Sequence, residues 1–293
     1  MARPAPGVAR AVAVLDFLAS RPREAFSLSD LARHLQLNKA TAHATLAALV
    51  DAGYLSRRPD KTYLLGPAAV ALGRAAVARH PALEVARPEI ETLAAELDLE
   101  VIASVADGEE IVVLAVAGTP QPLTPSVQVG QRLPLVPPLG TVFMAWAPPA
   151  EVDAWLGRVG PSATAAERGR YRKALAVARE RGCTVALDAE ARRRLATELA
   201  GRGDRNAVRA VVEELGHEDY LLVEVEHAQP YRVNHVGAPV FGPDGSVVLA
   251  LTVIGFRDDL TVADVPAVAD RLLEVAGRVT DAIGGHPPSE AAA

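Results

Sequence analysis

Apolar residues recur at helical spacing in the stretch from residue 28 to residue 35. The pattern predicts a helix that buries one stripe of its surface. Ser27 and Asp30 lie three positions apart at its start, so their side chains can accept hydrogen bonds from the exposed backbone N–H groups of the first turn. The buried stripe is expected to consist of Leu28, Leu31, Ala32 and Leu35.

A second helix is predicted directly after the short turn at residues 36–38. Asn38 has a side chain that commonly caps helices, and Gly53 is typical of the position after a helix C-terminus. Four apolar residues share one face of this helix, which predicts that the face is buried. They are Ala42, Leu46, Leu49 and Val50, whereas Lys39, Ala40, Thr41, His43, Ala44 and Ala47 are expected to point outward.

Two short strands are predicted at residues 54–58 and 62–65. The residues between them include proline and aspartate, which favour a turn, so the two strands should form a hairpin. Two helices joined by a tight turn and followed by a basic hairpin predict a winged helix-turn-helix. The basic residues near the hairpin tip are Arg57, Arg58 and Lys61.

This arrangement is suited to reading double-stranded DNA. A helix N-terminus with small and polar side chains fits the major groove, while a basic hairpin lies along the neighbouring backbone. Thr41 and His43 are expected to contact base edges. Contacts to phosphate, which set position without reading sequence, are expected from Lys39, Arg57, Arg58 and Lys61.

The distribution of charge supports this prediction. The whole chain has a net charge of −6, yet residues 1–80 hold 11 lysine and arginine residues against 5 aspartate and glutamate residues. The remainder holds 19 basic against 31 acidic residues. A basic N-terminal part joined to an acidic remainder indicates a DNA-binding domain attached to a domain with a different task.

Residues 39–67 resemble the DNA-binding domain of IclR-type transcriptional regulators. The resemblance is carried by residues 39–43 with Leu46 and Leu49, and by residues 52–55 and 62–67. Family members usually carry a large basic residue directly after the histidine, where this chain has Ala44. The resemblance therefore implies a related fold and DNA binding with one customary contact missing.

Further helices are predicted around this domain. Residues 8–20 should form a first helix with one apolar face, residues 68–79 a linker helix, and residues 86–97 the first helix of a second domain. Prolines at 81 and 88 are expected to interrupt this region and to fix a bend near residue 80. The apolar face of the first helix is expected to hold Val8, Val12, Leu15 and Leu18.

The second half predicts an antiparallel sheet with helices packed on its faces, which makes the chain an α+β protein. Residues 101–105 and 111–116 should form a hairpin, and residues 126–129 a third strand. Further strands are expected at 183–187, 220–225, 231–241 and 246–256, and helices at 141–147, 150–156, 165–181 and 261–283.

The second half also resembles the effector-binding domain of the same family, whose fold is related to GAF and profilin-like sensors. The matching stretches are residues 130–135, 139–146, 181–185 and 237–241, with the Asp244-Gly245 turn. The predicted domains are residues 1–66 for the winged helix-turn-helix, 67–83 for the linker helix, 84–284 for the effector-binding domain and 285–293 for a disordered tail.

The resemblance implies a site for a small-molecule effector in the second domain. Family pockets for small carboxylic acids commonly offer a cysteine before the Ala-Pro-Val strand and hydroxyls on the next strand. His235 stands at the first place, and Thr252 and Ile254 at the second. Fewer hydroxyl partners favour a larger or more apolar effector. The candidate site residues are Arg132, Gly140, Thr141, Cys183, Asp188, Glu226, His235 and Thr252, with Asp188 and Glu226 as alternatives for the acidic position.

Composition limits the other chemistry that this chain can perform. Cys183 is the single cysteine, which excludes an internal disulfide framework and a cysteine-clustered zinc site. The spacing of His217, His227 and His235 matches no metal motif, so neither a metal nor another cofactor is expected. There is no apolar run long enough for a membrane helix and no signal-peptide pattern, so a cytoplasmic location is expected.

The leading hypothesis is a transcriptional regulator, for example a repressor, that binds a roughly palindromic operator as a homodimer or dimer of dimers. An effector would shift the population of arrangements that fit two half-sites. Two alternatives stay open. One is a hydrolase-type enzyme that uses His235 with Cys183 or Asp188, although no nucleophile-elbow motif or phosphate loop supports it. The other is a DNA-binding protein that responds to no ligand.

Overall fold

The computed structural model describes residues 5–21, 24–119, 127–159, 163–187, 221, 233–256 and 264–288. The chain divides into two compact units, Met1–Arg79 and His80–Ala293. The division falls at the step to Pro81, where the prolines predict a bend. The finer domain limits predicted from the sequence stay predictions.

The first unit is a small helical domain with a three-stranded sheet in the order β1-β3-β2. Its core is formed where the first helix packs on the two central helices and on the sheet. The core side chains are Val14, Phe17, Leu18, Leu31, Leu46, Leu49, Leu55 and Tyr63. The elements are α1 (Pro6–Ala19), β1 (Phe26–Ser27), α2 (Leu28–His34), α3 (Lys39–Asp51), β2 (Leu55–Arg57), β3 (Thr62–Leu65) and α4 (Pro67–Val77).

Local capping fixes the starts of α2 and α3 as the sequence predicts. The Ser27 hydroxyl accepts the Asp30 N–H at 3.2 Å, and the Asp30 carboxylate accepts the Ser27 N–H at 3.2 Å. The Asn38 side chain accepts the Thr41 N–H at 2.8 Å. These bonds satisfy backbone donors that a helix start leaves without partners, which confirms the predicted helix-turn-helix.

The predicted apolar face of α1 is partly wrong. Val8 and Val12 are 64% and 49% exposed, whereas Val14 and Phe17 are buried. The helix has apolar residues on more than one side, and the side that carries the bulky aromatic ring packs on the core. β1 was not predicted, because two residues give no periodic signal. It pairs with β3 through Phe26 and Tyr63.

The second unit is built on a six-stranded antiparallel sheet in the order β6-β5-β4-β9-β8-β7. The elements are α5 (Pro81–Leu97), β4 (Glu100–Asp107), β5 (Glu110–Ala117), β6 (Arg132–Pro134), α6 (Thr141–Met144), α7 (Pro149–Gly157), α8 (Ala165–Arg181), β7 (Thr184–Leu187), β8 (Val233–Phe241), β9 (Val247–Ile254) and α9 (Val265–Ala282). The antiparallel sheet with flanking helices confirms the predicted α+β class.

Helices cover both faces of this sheet. α5 and α9 pack together and against β4 and β8. A second apolar cluster joins α6, α7 and α8 to the sheet through Ala186 and Ala250, with Trp155 at its centre. The indole Nε1–H of Trp155 donates to the Leu139 carbonyl at 3.0 Å, so this large side chain is buried without an unpaired donor.

Two predictions about secondary structure were wrong in this unit. The third strand is β6 rather than residues 126–129, because residues 129–130 form a turn in which Gly130 has φ +84°. Residue 126 itself lies outside the described part of the chain. Pro88 does not interrupt α5, although a proline inside a helix costs about 3 kcal/mol. The fully buried Leu83 and Ile90 hold the helix on the sheet.

Other predicted segments fall partly or wholly outside the described residues. Of the strand predicted at residues 220–225, the structure describes only Leu221, which forms an isolated bridge with Ala186. Residues 285–288, predicted to start a disordered tail, instead contact the β8–β9 turn. The His286 N–H donates to the Gly242 carbonyl at 3.3 Å, and the Gly285 N–H to the Thr280 carbonyl at 2.8 Å. The pattern of side chains does not show which backbone groups form hydrogen bonds, so these contacts could not be predicted from the sequence.

We expect Asn38→Ala to lower the stability of the first unit by about 1 kcal/mol, because α3 would lose its cap. Asn38→Asp should keep most of that stability, since a carboxylate also accepts the Thr41 N–H. Urea unfolding followed by circular dichroism would measure both variants. Equal losses in the two variants would contradict a capping role.

Candidate functional site

The outward face of α3 presents the residues that the sequence assigns to DNA. Lys39 and His43 are exposed and Thr41 is half-buried, while Ala42 and Leu46 are buried on the opposite face. The Thr45 hydroxyl donates to the Thr41 carbonyl at 2.9 Å. The first turn of α3 therefore has one fixed backbone conformation with small or flexible side chains outward, which suits insertion into a major groove.

The β2–β3 hairpin has a turn that is held by its own hydrogen bonds. The Asp60 carboxylate accepts the Thr62 N–H at 3.0 Å and the Thr62 hydroxyl at 2.6 Å, and these bonds lower the pKa of Asp60. Lys61 has φ +66°, and its N–H donates to the Arg58 carbonyl at 2.9 Å. The acid is thus engaged within the turn, and the basic side chains are presented around it.

The basic residues of the β2–β3 hairpin, which we call the wing, are all exposed. The guanidinium carbon of Arg57 lies 5.8 Å from the centre of the ring of Tyr63, its partner across the hairpin, which is within the range of a cation–π contact. Arg58 and Lys61 extend from the turn itself. A rigid hairpin that presents three cations beside a capped helix has the geometry of a winged helix that follows a DNA backbone.

The second candidate site lies on the sheet face that α6 covers in part. In the register, Gly237 on β8 is opposite Thr184 on β7 and Thr252 on β9. A Cβ atom placed on Gly237 would lie 2.8 Å from Thr184 Oγ1, 3.5 Å from Thr252 Oγ1 and 3.8 Å from Val142 Cβ of α6. The absence of a side chain at Gly237 therefore lets two hydroxyls and α6 approach this strand closely. We call this sheet face, defined by Thr184, Gly237, Thr252 and His235, the effector face.

Sequence reasoning placed Thr252 and His235 here and missed Thr184. His235 is half-buried, and its Nδ1 lies 3.0 Å from Asn234 Oδ1. Thr184 is buried, and its hydroxyl donates to the Gly237 carbonyl at 3.3 Å. The signal that could have found Thr184 is a threonine on an apolar strand next to a glycine on its neighbour, but only the strand order reveals that neighbour.

Three other predicted effector residues make contacts within the second unit, and their assignment to the effector stays a prediction. Arg132 is exposed, and it pairs with Glu110 and, at 4.0 Å, with Asp107. The Thr141 hydroxyl is buried and donates to the Pro138 carbonyl at 2.7 Å. Gly140 has φ +85°, and a Cβ there would lie 2.2 Å from Leu135 Cδ1. Thr141 and Gly140 thus set the start of α6, while Arg132 belongs to a surface ion pair.

Cys183 is the fourth such residue, and it lies on the other side of the sheet from Thr184. It is buried, burial raises the pKa of its thiol, and Asp270 on α9 raises it further. Side chains alternate between the two faces of a strand, so Cys183 is directed to the α9 side. The hypothetical pairing of Cys183 with His235 is not formed. Asp188 and Glu226 lie outside the described residues.

The described residues form neither a metal site nor a membrane-spanning helix. No three histidine, cysteine, aspartate or glutamate side chains within them are grouped closely enough to hold a metal ion. Among the described helices, none combines the length and the hydrophobicity needed to cross a lipid bilayer.

A winged helix-turn-helix followed by an antiparallel sheet domain defines the class of two-domain transcriptional regulators. Residues 7–59 match the family model of the IclR helix-turn-helix domain, and residues 74–194 match that of the bacterial transcriptional regulator IclR C-terminal domain. The chain belongs to the IclR family of transcriptional regulators, as the resemblance predicts.

Individual relatives are similar over nearly the whole chain. The HTH-type transcriptional regulator KipR of Bacillus subtilis (strain 168) is 22% identical over 284 residues, which cover 94% of this chain and 96% of KipR. The crystal structure of Thermotoga maritima IclR is 18% identical, with a TM-score of 0.63 and coverage of 94% and 98%. An IclR homolog from Microbacterium hydrocarbonoxydans, complexed with 4-hydroxybenzoate, is 22% identical, with a TM-score of 0.61 and the same coverage. These structures share the fold.

Removing the wing cations should weaken binding to all DNA sequences. For the double variant Arg57→Ala, Arg58→Ala, we expect the slope of log affinity against log salt concentration to become less negative by roughly two. Fluorescence anisotropy at several salt concentrations would measure it. The matched control is Arg87→Ala, Arg170→Ala, which removes two exposed cations from the second unit. An unchanged slope in the wing variant would remove the wing from the DNA contacts.

A methyl group at Gly237 should be poorly tolerated. Gly237→Ala places a Cβ 2.8 Å from Thr184 Oγ1, so we expect a loss of about 1–3 kcal/mol in the free energy of unfolding from overpacking. Gly277→Ala on α9 is the control, because a Cβ there meets no atom within 4 Å and helix propensity favours alanine. Thermal unfolding would compare them, and equal effects would contradict the described geometry of the effector face.

Proposed function

We propose that this chain is a ligand-responsive regulator that binds operator DNA through α3 and the wing. The observation that carries the proposal is a capped helix with outward Lys39, Thr41 and His43 beside a rigid basic hairpin. Membership in a family of transcriptional regulators supports it.

The proposed DNA contacts divide into two kinds. Thr41 and His43 read base edges in the major groove, where each good contact contributes about 1–3 kcal/mol of discrimination. Ala44 is exposed beside His43 and has no polar atom in its side chain, so it adds no hydrogen bond at that point. Phosphate contacts come from Lys39, Arg57, Arg58 and Lys61.

The effector binds to the second unit in this proposal. The relative from Microbacterium hydrocarbonoxydans forms a complex with 4-hydroxybenzoate, which supports a small organic ligand for a domain of this fold. We assign the ligand to the effector face, where Thr184, Thr252 and His235 are the polar groups and lie around Gly237. An organic acid or a larger apolar metabolite fits a surface with so few polar groups. Effector binding changes the affinity for DNA only if the effector binds more tightly to one arrangement of the protein than to another.

Assembly as a homodimer, or as a dimer of dimers, fits a roughly palindromic operator. Exposed apolar side chains on α1 and α4 support this part of the proposal. Val8 is 64% exposed on α1, and Val70 and Leu72 are 64% and 62% exposed on α4. Large apolar residues grouped on exposed helices commonly mark contact surfaces. Action as a repressor in the cytoplasm is part of the same proposal.

The test is DNA binding by the purified chain to fragments from around its own gene, with excess unrelated competitor DNA. The wild type should bind selectively, and Thr41→Ala, His43→Ala should retain only weak binding that competitor removes. Thr92→Ala, His286→Ala is the matched control on exposed positions of the second unit. Selective binding by the α3 variant would contradict the assignment of the reading helix.

The same complex tests the effector. Compounds that include 4-hydroxybenzoate as the first probe are added to the bound operator, and a change in affinity is measured by anisotropy. A ligand that shifts DNA affinity supports the regulator, whereas chemical turnover of a probe would favour the enzyme alternative.

A further inference from the structure

Glu100, the first residue of β4, is a buried carboxyl group that the proposed site does not use. It is 0% exposed, and neither of its carboxyl oxygens has a hydrogen-bond partner among the described residues. Burial raises the pKa of the group. Buried polar atoms in folded proteins are nearly always paired, and an unpaired buried acid is costly. Packing alone therefore does not explain why a carboxyl group occupies this buried position.

The sheet register places Glu100 on the effector face. Glu100 pairs with Ile254 of β9, and Ile254 pairs on its other side with His235 of β8. Residues paired across a sheet project from the same face. Glu100 and His235 are therefore attached about 10 Å apart, on either side of one isoleucine. That spacing is suited to a small molecule that contacts polar groups at both ends and an apolar surface between them.

The chemistry of the carboxyl group selects the ligand group that would satisfy it. Both oxygens lack a donor, so a single hydroxyl would leave one of them unpaired. An organic carboxylate supplies no donor to an ionised Glu100 and would be repelled by it, so of the two effector classes proposed above this argument favours the larger apolar metabolite. A protonated amine supplies up to three donors and a compensating charge, and such charge-assisted hydrogen bonds are the strong ones in proteins. The neighbouring Ile102 and Ile254 would contact an apolar body.

We propose that Glu100 binds the protonated amino group of a small organic effector with an apolar body, and so makes the site selective for amines. The inference rests on the proposed effector face. Neither oxygen is open to solvent, so an amine reaches Glu100 only by displacing the groups that cover it. Binding therefore favours an altered arrangement of the second unit, which is the differential affinity that a ligand needs in order to act.

The experiment measures binding of matched probes to the full-length chain by calorimetry. Benzylamine, benzyl alcohol and benzoate form one set, and phenethylamine, phenethyl alcohol and phenylacetate form a second. We expect each amine to bind at least tenfold more tightly than the alcohol and the carboxylate of its set. The preference should be lost in Glu100→Gln, and it should persist in Glu180→Gln, which alters an exposed acid on α8. Absence of an amine preference in the wild type, or its persistence in Glu100→Gln, would overturn the inference.

Glu100→Met gives a second and independent measurement. Replacing an unpaired buried acid by an apolar side chain of similar length should raise the Tm, whereas removing one member of a buried pair should lower it. A lower Tm in Glu100→Met would show that the carboxyl already has a partner, and this too would overturn the inference.

The two proposals fail separately in the operator assay. If a carboxylate or alcohol releases DNA equally from the wild type and Glu100→Gln, the proposed regulator is supported and the proposed role of Glu100 is rejected. If amines bind through Glu100 without changing DNA affinity, the role of Glu100 in binding stands and the ligand-responsive regulator falls.

Discussion

The register of the six-stranded sheet is the constraint on which the second unit depends. Rows of valine and leucine, among them Val101, Val236 and Val253, are fully buried on the side that α5 and α9 cover. Because side chains alternate along a strand, burying these rows sends Gly237 and Glu100 to the other face. A slip of one residue would exchange the two faces and move the valines away from α5 and α9. The burial of these apolar rows on one side therefore determines which residues form the effector face on the other side.

The first unit depends on shorter-range interactions. Its two central helices begin at side-chain caps, and its wing turn is closed by an aspartate that bonds two residues ahead. These caps and the turn join residues that lie two or three positions apart. The helices α2 and α3 and the wing can therefore form before distant parts of the chain meet. A small core around Phe17 and Leu46 then holds the pieces together.

This difference in range explains what the sequence could predict. The helix-turn-helix and the wing were found because caps, turns and apolar spacing are local signals, and the α8 helix was found to its last residue. The composition of the effector face was found only in part. Thr184 was not among the predicted residues, and Cys183 was among them although it lies on the α9 side, because the face of a residue follows from pairing between distant strands. Arg132 pairs with Glu110 on β5, a contact that the local pattern does not reveal, and its assignment to the effector stays a prediction. The buried side of α1 was predicted only in part, because the helix has apolar residues on more than one side and only the folded core selects between them.

The linker helix α4 has eleven residues and buries none of them. Isolated helices of that length are marginal in water, so a partner surface over its exposed valine and leucine would stabilise α4. A helix rises 1.5 Å per residue, whereas an extended chain reaches about 3.5 Å per residue. Melting of α4 would therefore more than double the distance that its eleven residues can span. If the protein binds two DNA half-sites as proposed, the half-site spacing that it tolerates depends on protein concentration, through mass action on the contact that keeps this helix folded.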